Sequence, residues 1–299
     1  MQKVLTLKNV CKSFPGIQAL DNISFEVGKG EVHGFLGPNG AGKSTTMRII
    51  SGLLHADSGE LSIDSSLKIG ILPEIPPLYF EMSVERYLIF VFDIQTFSDL
   101  SHKEKIKKVN EVMGKTGLLD VKKRLIGNLS KGFKQRVGIA STLVFDPDLI
   151  LLDEPTSGLD PKSIIEIRDL ILDLKKEHTV FLSSHRLHEL DLLCSEITII
   201  NKGKILTSGK VEAIRKLFSR KNSVEVELEG DAKRVASLLG DHLKLEVHLD
   251  QNKISVSLPS ERRSELSRFI LENGGVILSM QEKKMELEDI FRSITENEP

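Results

Sequence analysis

The chain has 299 residues, 41 basic against 43 acidic side chains for a net charge of -2, and two cysteines. Near-neutral charge excludes the basic footprint of a nucleic-acid binder. Cys11 and Cys194 show neither metal-ligand spacing nor a disulfide framework and suit a reducing compartment, and no apolar run reaches the length of a bilayer span. The length admits one full α/β core plus a smaller appendage. Met1-Gln2-Lys3 carries no signal-peptide pattern, so a cytoplasmic location is expected.

Residues 3–10 alternate loosely through Val4, Leu5, Leu7 and Val10, and 20–27 alternate through Leu20, Ile23, Phe25 and Val27; both are expected as strands. Between them stands Phe14, just before Pro15-Gly16. A half-exposed aromatic there either stacks on an adenine ring or plugs the local core, and the spacing leaves both open. Val32–Leu36 is short and apolar, a buried strand. Gly37-Pro38-Asn39-Gly40-Ala41-Gly42-Lys43-Ser44-Thr45 follows and fits G-x-x-x-x-G-K-[ST], with a helix expected to continue to Gly52. Glycines let several N–H groups turn inward around a polyphosphate, and the helix N-terminus adds a favourable dipole. In that motif Lys43 reaches the β- and γ-phosphates and the Ser44 hydroxyl sits on Mg²⁺.

Residues 61–63 and 69–72 read as strands, and the three prolines of 73–77 then break regular structure. Helices are expected at 83–95, 101–115 and 130–145, the second charged on most faces and therefore solvated. Tyr79, Phe80, Tyr87, Phe90, Phe92 and Phe97 crowd one short stretch and cannot share one helix face. They form either an apolar docking patch or the interior of a helical subdomain. Asp148–Leu152 is continuously apolar after its first residue, as in a parallel strand buried on both faces, and ends in Asp153-Glu154. Asp153 suits a water-mediated Mg²⁺ ligand, and Glu154 is placed to activate an attacking water. Asp160-Pro161 opens a helix to about 176 with an Asp cap and Pro at the first turn. Residues 178–185 form another strand, with His185 just past its end, within reach of a γ-phosphate. A helix at 186–194, a hairpin turning at 201–204 and a helix over 210–218 complete the large domain.

After a linker at 219–222 the pattern changes. Strands are expected at 224–228, 243–247, 254–258 and 276–280, with helices at 231–239 and 259–274, a β-α-β-β-α-β order that suggests a ferredoxin-like sandwich. A last amphipathic helix is expected at 285–295.

Five motifs in this order resemble the ATP-binding-cassette (ABC) ATPases over about residues 3–218: Walker A at 37–45, a signature-like sequence at 129–136 (Leu129-Ser130-Lys131-Gly132-Phe133-Lys134-Gln135-Arg136) at a helix start, Walker B at 149–154, a D-loop at 157–160 and a switch histidine at 185. The resemblance implies an α/β P-loop NTPase domain at 1–218, with its helical subdomain at about 75–145, followed by an α+β accessory domain at 223–299. It implies a head-to-tail homodimer with MgATP held between Lys43 and Ser44 of one copy and Ser130 and Gly132 of the other, Asp160 belonging to the nucleotide-binding set. It also implies a separately encoded membrane permease that keeps the chain at the cytoplasmic face. The tail around Leu287–Phe291 and the variant signature look like ATPases of ABC-2-type exporters, with import or a non-transport cassette as alternatives. Two departures stand out. Glu74 occupies the place where the family usually has Gln, and Lys131 and Phe133 replace Gly and Gln of the signature. Glu74 is read as a further Mg²⁺ ligand, since a carboxylate near a γ-phosphate is repelled unless metal lies between.

Overall fold

A computed structural model describes residues 2–96, 100–214, 223–230, 232–243, 247–257 and 262–283. The chain divides into two compact units, Met1–Val211 and Glu212–Pro299.

In the first unit, β1 (Lys3–Phe14), β2 (Ile17–Gly28) and β4 (Ser58–Ile63) form an antiparallel sheet in the order β2-β1-β4. Alternation carries β1 beyond the expected 3–10, because Pro15-Gly16 closes a hairpin that pairs Phe14 with Ile17. The second sheet contains β3 (Val32–Leu36), β5 (Ile69–Leu72), β6 (Leu149–Leu152), β7 (Thr179–Ser184), β8 (Glu196–Asn201) and β9 (Lys204–Lys210), in the order β5-β6-β7-β3-β8-β9. Its first five strands are parallel and β9 is antiparallel. β3 and β6 are buried at every residue, as their unbroken apolar runs require. Phe25 of the first sheet lies 5.3 Å from Phe35 and 5.7 Å from Phe181 of the second (ring centroids), so one aromatic layer joins the two. Residue 210 ends β9, where a helix start was expected; 211–214 are helical, and the rest of that helix and the linker lie outside the described residues.

Helices α1 (Lys43–Ile50), α2 (Val84–Thr96), α3 (His102–Lys115), α4 (Lys131–Leu143), α5 (Pro161–Leu174) and α6 (Leu187–Leu193) fill the connections. α2, α3 and α4 share a core that includes Tyr87, Leu88, Phe92, Val109, Met113 and Val137. α3 buries only Val109 and Met113, and its start is fixed by reciprocal bonds between Ser101 and Glu104. The aromatic cluster divides: Tyr87 and Phe92 are buried, whereas Tyr79, Phe80 and Phe90 are exposed. Phe97 lies outside the described residues. The Tyr87 hydroxyl donates to Pro77 O at 3.0 Å, pinning the proline-broken loop to α2.

The second unit contains β10 (Ser223–Glu229), α7 (Ala232–Leu243), β11 (Val247–Asp250), β12 (Lys253–Ser257), α8 (Arg263–Glu272) and β13 (Val276–Lys283). Its sheet order, β11-β12-β10-β13, with antiparallel neighbours throughout, is the ferredoxin-like arrangement. The strand expected at 243–247 is displaced. α7 runs through Leu243 and the strand begins at Val247, so that Gln251, at φ 52°, makes a tight turn into β12. Val224, Val226 and Leu228 face the core with Leu239, Ile254, Val256, Leu266 and Ile270. The expected helix at 285–295 lies outside the described residues. Among the described residues no helix is long and apolar enough to cross a membrane.

Candidate functional site: a phosphate loop facing a carboxylate–histidine pair

β3 lies between β7 and β8 and delivers its C-terminal end into the glycine-rich turn. Gly42 adopts φ 109°, and a Cβ there would stand 2.7 Å from Ala19 O, so only glycine fits the entrance to α1. Lys43 folds back over the loop. Its Nζ donates to Gly37 O at 2.8 Å and Pro38 O at 3.2 Å, and the side chain is buried. The Ser44 hydroxyl engages no protein partner among the described residues, whereas the next hydroxyl but one, Thr46 Oγ1, donates to Gly42 O at 2.9 Å.

The ends of β6 and β7 stand beside this loop. Ser183 ties them together: it donates to Asp153 Oδ1 at 2.6 Å and accepts from the Glu154 N–H at 3.0 Å. Glu154 sits at φ 48°, a left-handed conformation that costs a non-glycine residue energy and that surrounding contacts must hold. One carboxylate oxygen lies 3.1 Å from Lys43 Nζ as an ion pair, and the other lies 2.8 Å from His185 Nδ1. Lys43, Glu154 and His185 thus form one contiguous set, with the carboxylate at 7% exposure.

Ile17, Ala19, Asn39, Lys43, Ser44, Glu74 and Glu154 line a cleft over the loop. An adjoining groove is lined by Ser44, Arg48, Leu53, Glu74, Ile75 and Asp153. The structure therefore brings Glu74 to the same wall as Ser44, Asp153 and Glu154. Phe14 does not line the cleft; it is 42% exposed, which rules out a core plug, and Lys12 Nζ stands 5.8 Å from its ring centroid. Its cross-strand partner Ile17 lines the cleft. Ile17 and Ala19 left no sequence signal, because apolar residues lining a cleft have no required spacing.

Ser130, Gly132 and Asp160 form a second group around the starts of α4 and α5, outside the cleft lining. Ser130 caps α4 by accepting from Phe133 N–H at 3.4 Å. A Cβ on Gly132 would stand 2.4 Å from Ser163 Oγ, so glycine is what lets the two helix starts approach. Asp160 caps α5, accepting from the Ser163 hydroxyl at 2.6 Å and its N–H at 3.0 Å; these bonds hold its carboxyl below the usual range. Lys131 leans across the D-loop, its Nζ 2.3 Å from where a Cβ on Gly158 would stand.

At the other end of β3, His33 is hydrogen-bonded at both ring nitrogens, to Glu31 Oε1 at 3.2 Å and Thr198 Oγ1 at 2.8 Å. It is a satisfied core histidine. The Cys194 thiol is buried, and burial pushes its pKa far up, which makes it inert.

The family model described as ABC transporter matches residues 20–157. The chain is 33% identical to the bacitracin transport ATP-binding protein BcrA of Bacillus licheniformis, over 97% of either chain. It belongs to the ABC transporter ATP-binding proteins. An ABC transporter ATP-binding protein of Bacillus subtilis, YxlF, is 32% identical over 97% of this chain and 99% of its own. The lantibiotic transport ATP-binding protein SrtF of Streptococcus pyogenes is 36% identical over 72% of this chain and 94% of its own. Residues 209–295 match the C-terminal domain of DrrA1-3-like ATP-binding proteins. Among solved structures, the dimeric cassette MJ0796 bound to ADP and Pi superposes with TM-score 0.64 at 27% identity, covering 69% of this chain and 98% of that one. For cbiO1 of Clostridium perfringens, part of the ABC transporter complex cbiONQ, the values are 0.66, 25%, 82% and 97%. This ABC subunit is thus an ATP-hydrolysing P-loop protein, and the Lys43–Glu154–His185 set lies where its phosphate loop meets its Walker B strand.

Proposed function

We propose that this ABC ATPase powers a separate membrane permease for export, working as a homodimer in which each ATP is held between the phosphate loop of one copy and Ser130 and Gly132 of the other. The observation that carries the hydrolytic half is the placement of Glu154 between Lys43 and His185. Loop N–H groups and Lys43 hold the β- and γ-phosphates. Glu154 takes the proton of the attacking water as the new P–O bond forms and the bond to the β-phosphate breaks, giving ADP and phosphate. His185, fixed on Glu154, keeps that carboxylate aimed. The free Ser44 hydroxyl, the Asp153 carboxylate and Glu74 are an all-oxygen donor set that fits Mg²⁺. The ion would neutralise phosphate charge there, with Glu74 taking the Gln position.

Relatives named for bacitracin and lantibiotic transport support a transport role, and the exporter-like tail supports its direction. The permease contact is assigned to the exposed Ile75, Tyr79, Phe80 and Phe90. Ile75 directly follows Glu74, so a shift at the nucleotide cleft reaches this surface through one peptide unit. The test is co-expression with a candidate multi-span permease. Export supported by the pair and lost on Lys43→Ala upholds the reading; transport that proceeds equally well without a functional Lys43 overturns it.

A further inference from the structure

One acid outside the motifs sits at the junction of the turns that carry Glu154 and His185. Glu189 belongs to the first turn of α6, yet its side chain is only 13% exposed. A single oxygen, Oε2, accepts from the Thr156 hydroxyl at 2.6 Å and from the Ser184 hydroxyl at 3.1 Å. The other oxygen faces Arg186 Nη1 at 3.4 Å. Thr156 is buried two residues beyond Glu154, and Ser184 is buried immediately before His185. The Ser184 oxygen also accepts from the Arg186 N–H at 2.9 Å, so the turn carrying His185 is closed on the same point.

The two turns bearing the Glu154–His185 pair are thus joined at that oxygen. Glu154 needs such support, because its left-handed φ of 48° is not self-stabilising. The turn after it is closed by Ser157 N–H to Glu154 O at 3.0 Å and Leu159 N–H to Thr156 O at 3.3 Å, and the Thr156 side chain anchors that turn to α6. Both buried hydroxyls donate to the same oxygen, and an amide oxygen in its place would retain the acceptor but not a carboxylate's strength.

We propose that Glu189 is a positioning residue for ATP hydrolysis, which holds the Walker B turn through Thr156 and the histidine turn through Ser184 so that Glu154 and His185 stay in bonding register. It rests on the reading of Glu154 as the base, and touches neither phosphate nor water itself. Misplacing a catalytic group by about an ångström costs up to about 10²-fold.

The experiment measures steady-state ATPase kinetics and nucleotide affinity of the full chain for Glu189→Ala, Glu189→Gln, Thr156→Val, Thr156→Ser and the double variant Glu189→Ala/Thr156→Val. Expected are a drop in kcat of about 10-fold or more for Glu189→Ala and Thr156→Val, with KM for ATP within about twofold of wild type. The double variant should be no slower than Glu189→Ala alone, because both remove one link. Thr156→Ser restores the hydroxyl and should retain kcat, and Glu189→Gln should fall between wild type and Glu189→Ala. Wild-type kcat in Glu189→Ala overturns the proposal, as does a kcat loss that multiplies in the double variant or follows the folded fraction. Should Glu189→Ala fail to fold, the Thr156→Val against Thr156→Ser comparison decides, equal kcat in the two being the contrary result. Lys43→Ala is run alongside: if it is as active as wild type, the assignment of the hydrolytic site fails, independently of Glu189.

Discussion

His185 Nδ1 lies 2.8 Å from one carboxylate oxygen of Glu154, whose other oxygen faces Lys43 Nζ at 3.1 Å. A base held on both sides has one orientation, and removing either holder frees it. His185→Ala is therefore expected to lower kcat on the order of 10²-fold while leaving ATP affinity near wild type. Stopped-flow binding of a fluorescent nucleotide beside steady-state phosphate release separates the two; a loss confined to affinity would place His185 in binding instead.

Gly132 has a structural duty within its own chain, whatever it contacts across a dimer. Gly132→Ala puts a Cβ 2.4 Å from Ser163 Oγ and 2.9 Å from Ser163 Cβ, an overpacking expected to cost about 1–3 kcal/mol in stability. Ser163→Gly in the same chain removes both clashing atoms while its N–H can still reach Asp160. Denaturant unfolding of the single and double variants should show recovered stability in the double. Recovery of stability without recovery of ATPase activity would identify a second requirement for the glycine.

Acid stability should report on Glu31. Burial pushes its carboxyl up, but the bonds from His33 and the Gly28 N–H, aided by the charges of His33 and Lys175, outweigh burial and leave it below its ordinary value. A carboxyl depressed in the folded state contributes stability that is fully present above the unfolded value of about 4.3 and is lost as pH falls through the lower folded value. The melting-temperature gap between wild type and Glu31→Gln is thus expected to be widest near neutrality and to close as pH falls below the unfolded value and through the lower folded one. A gap constant with pH would show that the carboxylate's charge is irrelevant there.

Phe80 is exposed, with Lys134 Nζ 5.2 Å from its ring centroid, and Ile75 is 83% exposed. If this surface meets the permease, Ile75→Ser with Phe80→Ser should leave the ATPase rate of the purified subunit within about twofold of wild type, as expected for surface changes. The membrane-bound fraction on co-expression should fall. Undiminished membrane recovery would move the contact elsewhere.

What sequence reading could reach followed from local physics. The phosphate loop is legible because its glycines and Lys43 are neighbours along the chain, and β6 because burial on both faces leaves an unbroken apolar run. The ferredoxin-like order of the second unit followed from alternation in Val224–Leu228 and Ile254–Val256. Where alternation had no clear turn residue, as at 243–247, the boundary between α7 and β11 was misplaced by several residues. Ile17, Ser183 and Glu189 stayed hidden for another reason. Ser183 meets Asp153 across 30 residues of chain and Glu189 meets Thr156 across 33, and an acid on a short helix looks like any solvated charge until the fold brings its partners to it.

Sedimentation of Glu154→Gln is the sharpest test of ATP as the link between two copies. Neutralising the base should slow hydrolysis about 10²–10⁴-fold and so preserve bound ATP. At saturating MgATP the variant should sediment as a dimer, returning to monomer when ADP replaces ATP or when Ser130 is also changed to a bulky residue. A chain that stays monomeric with ATP bound, alone and with its permease present, would contradict the opposed-copy mechanism.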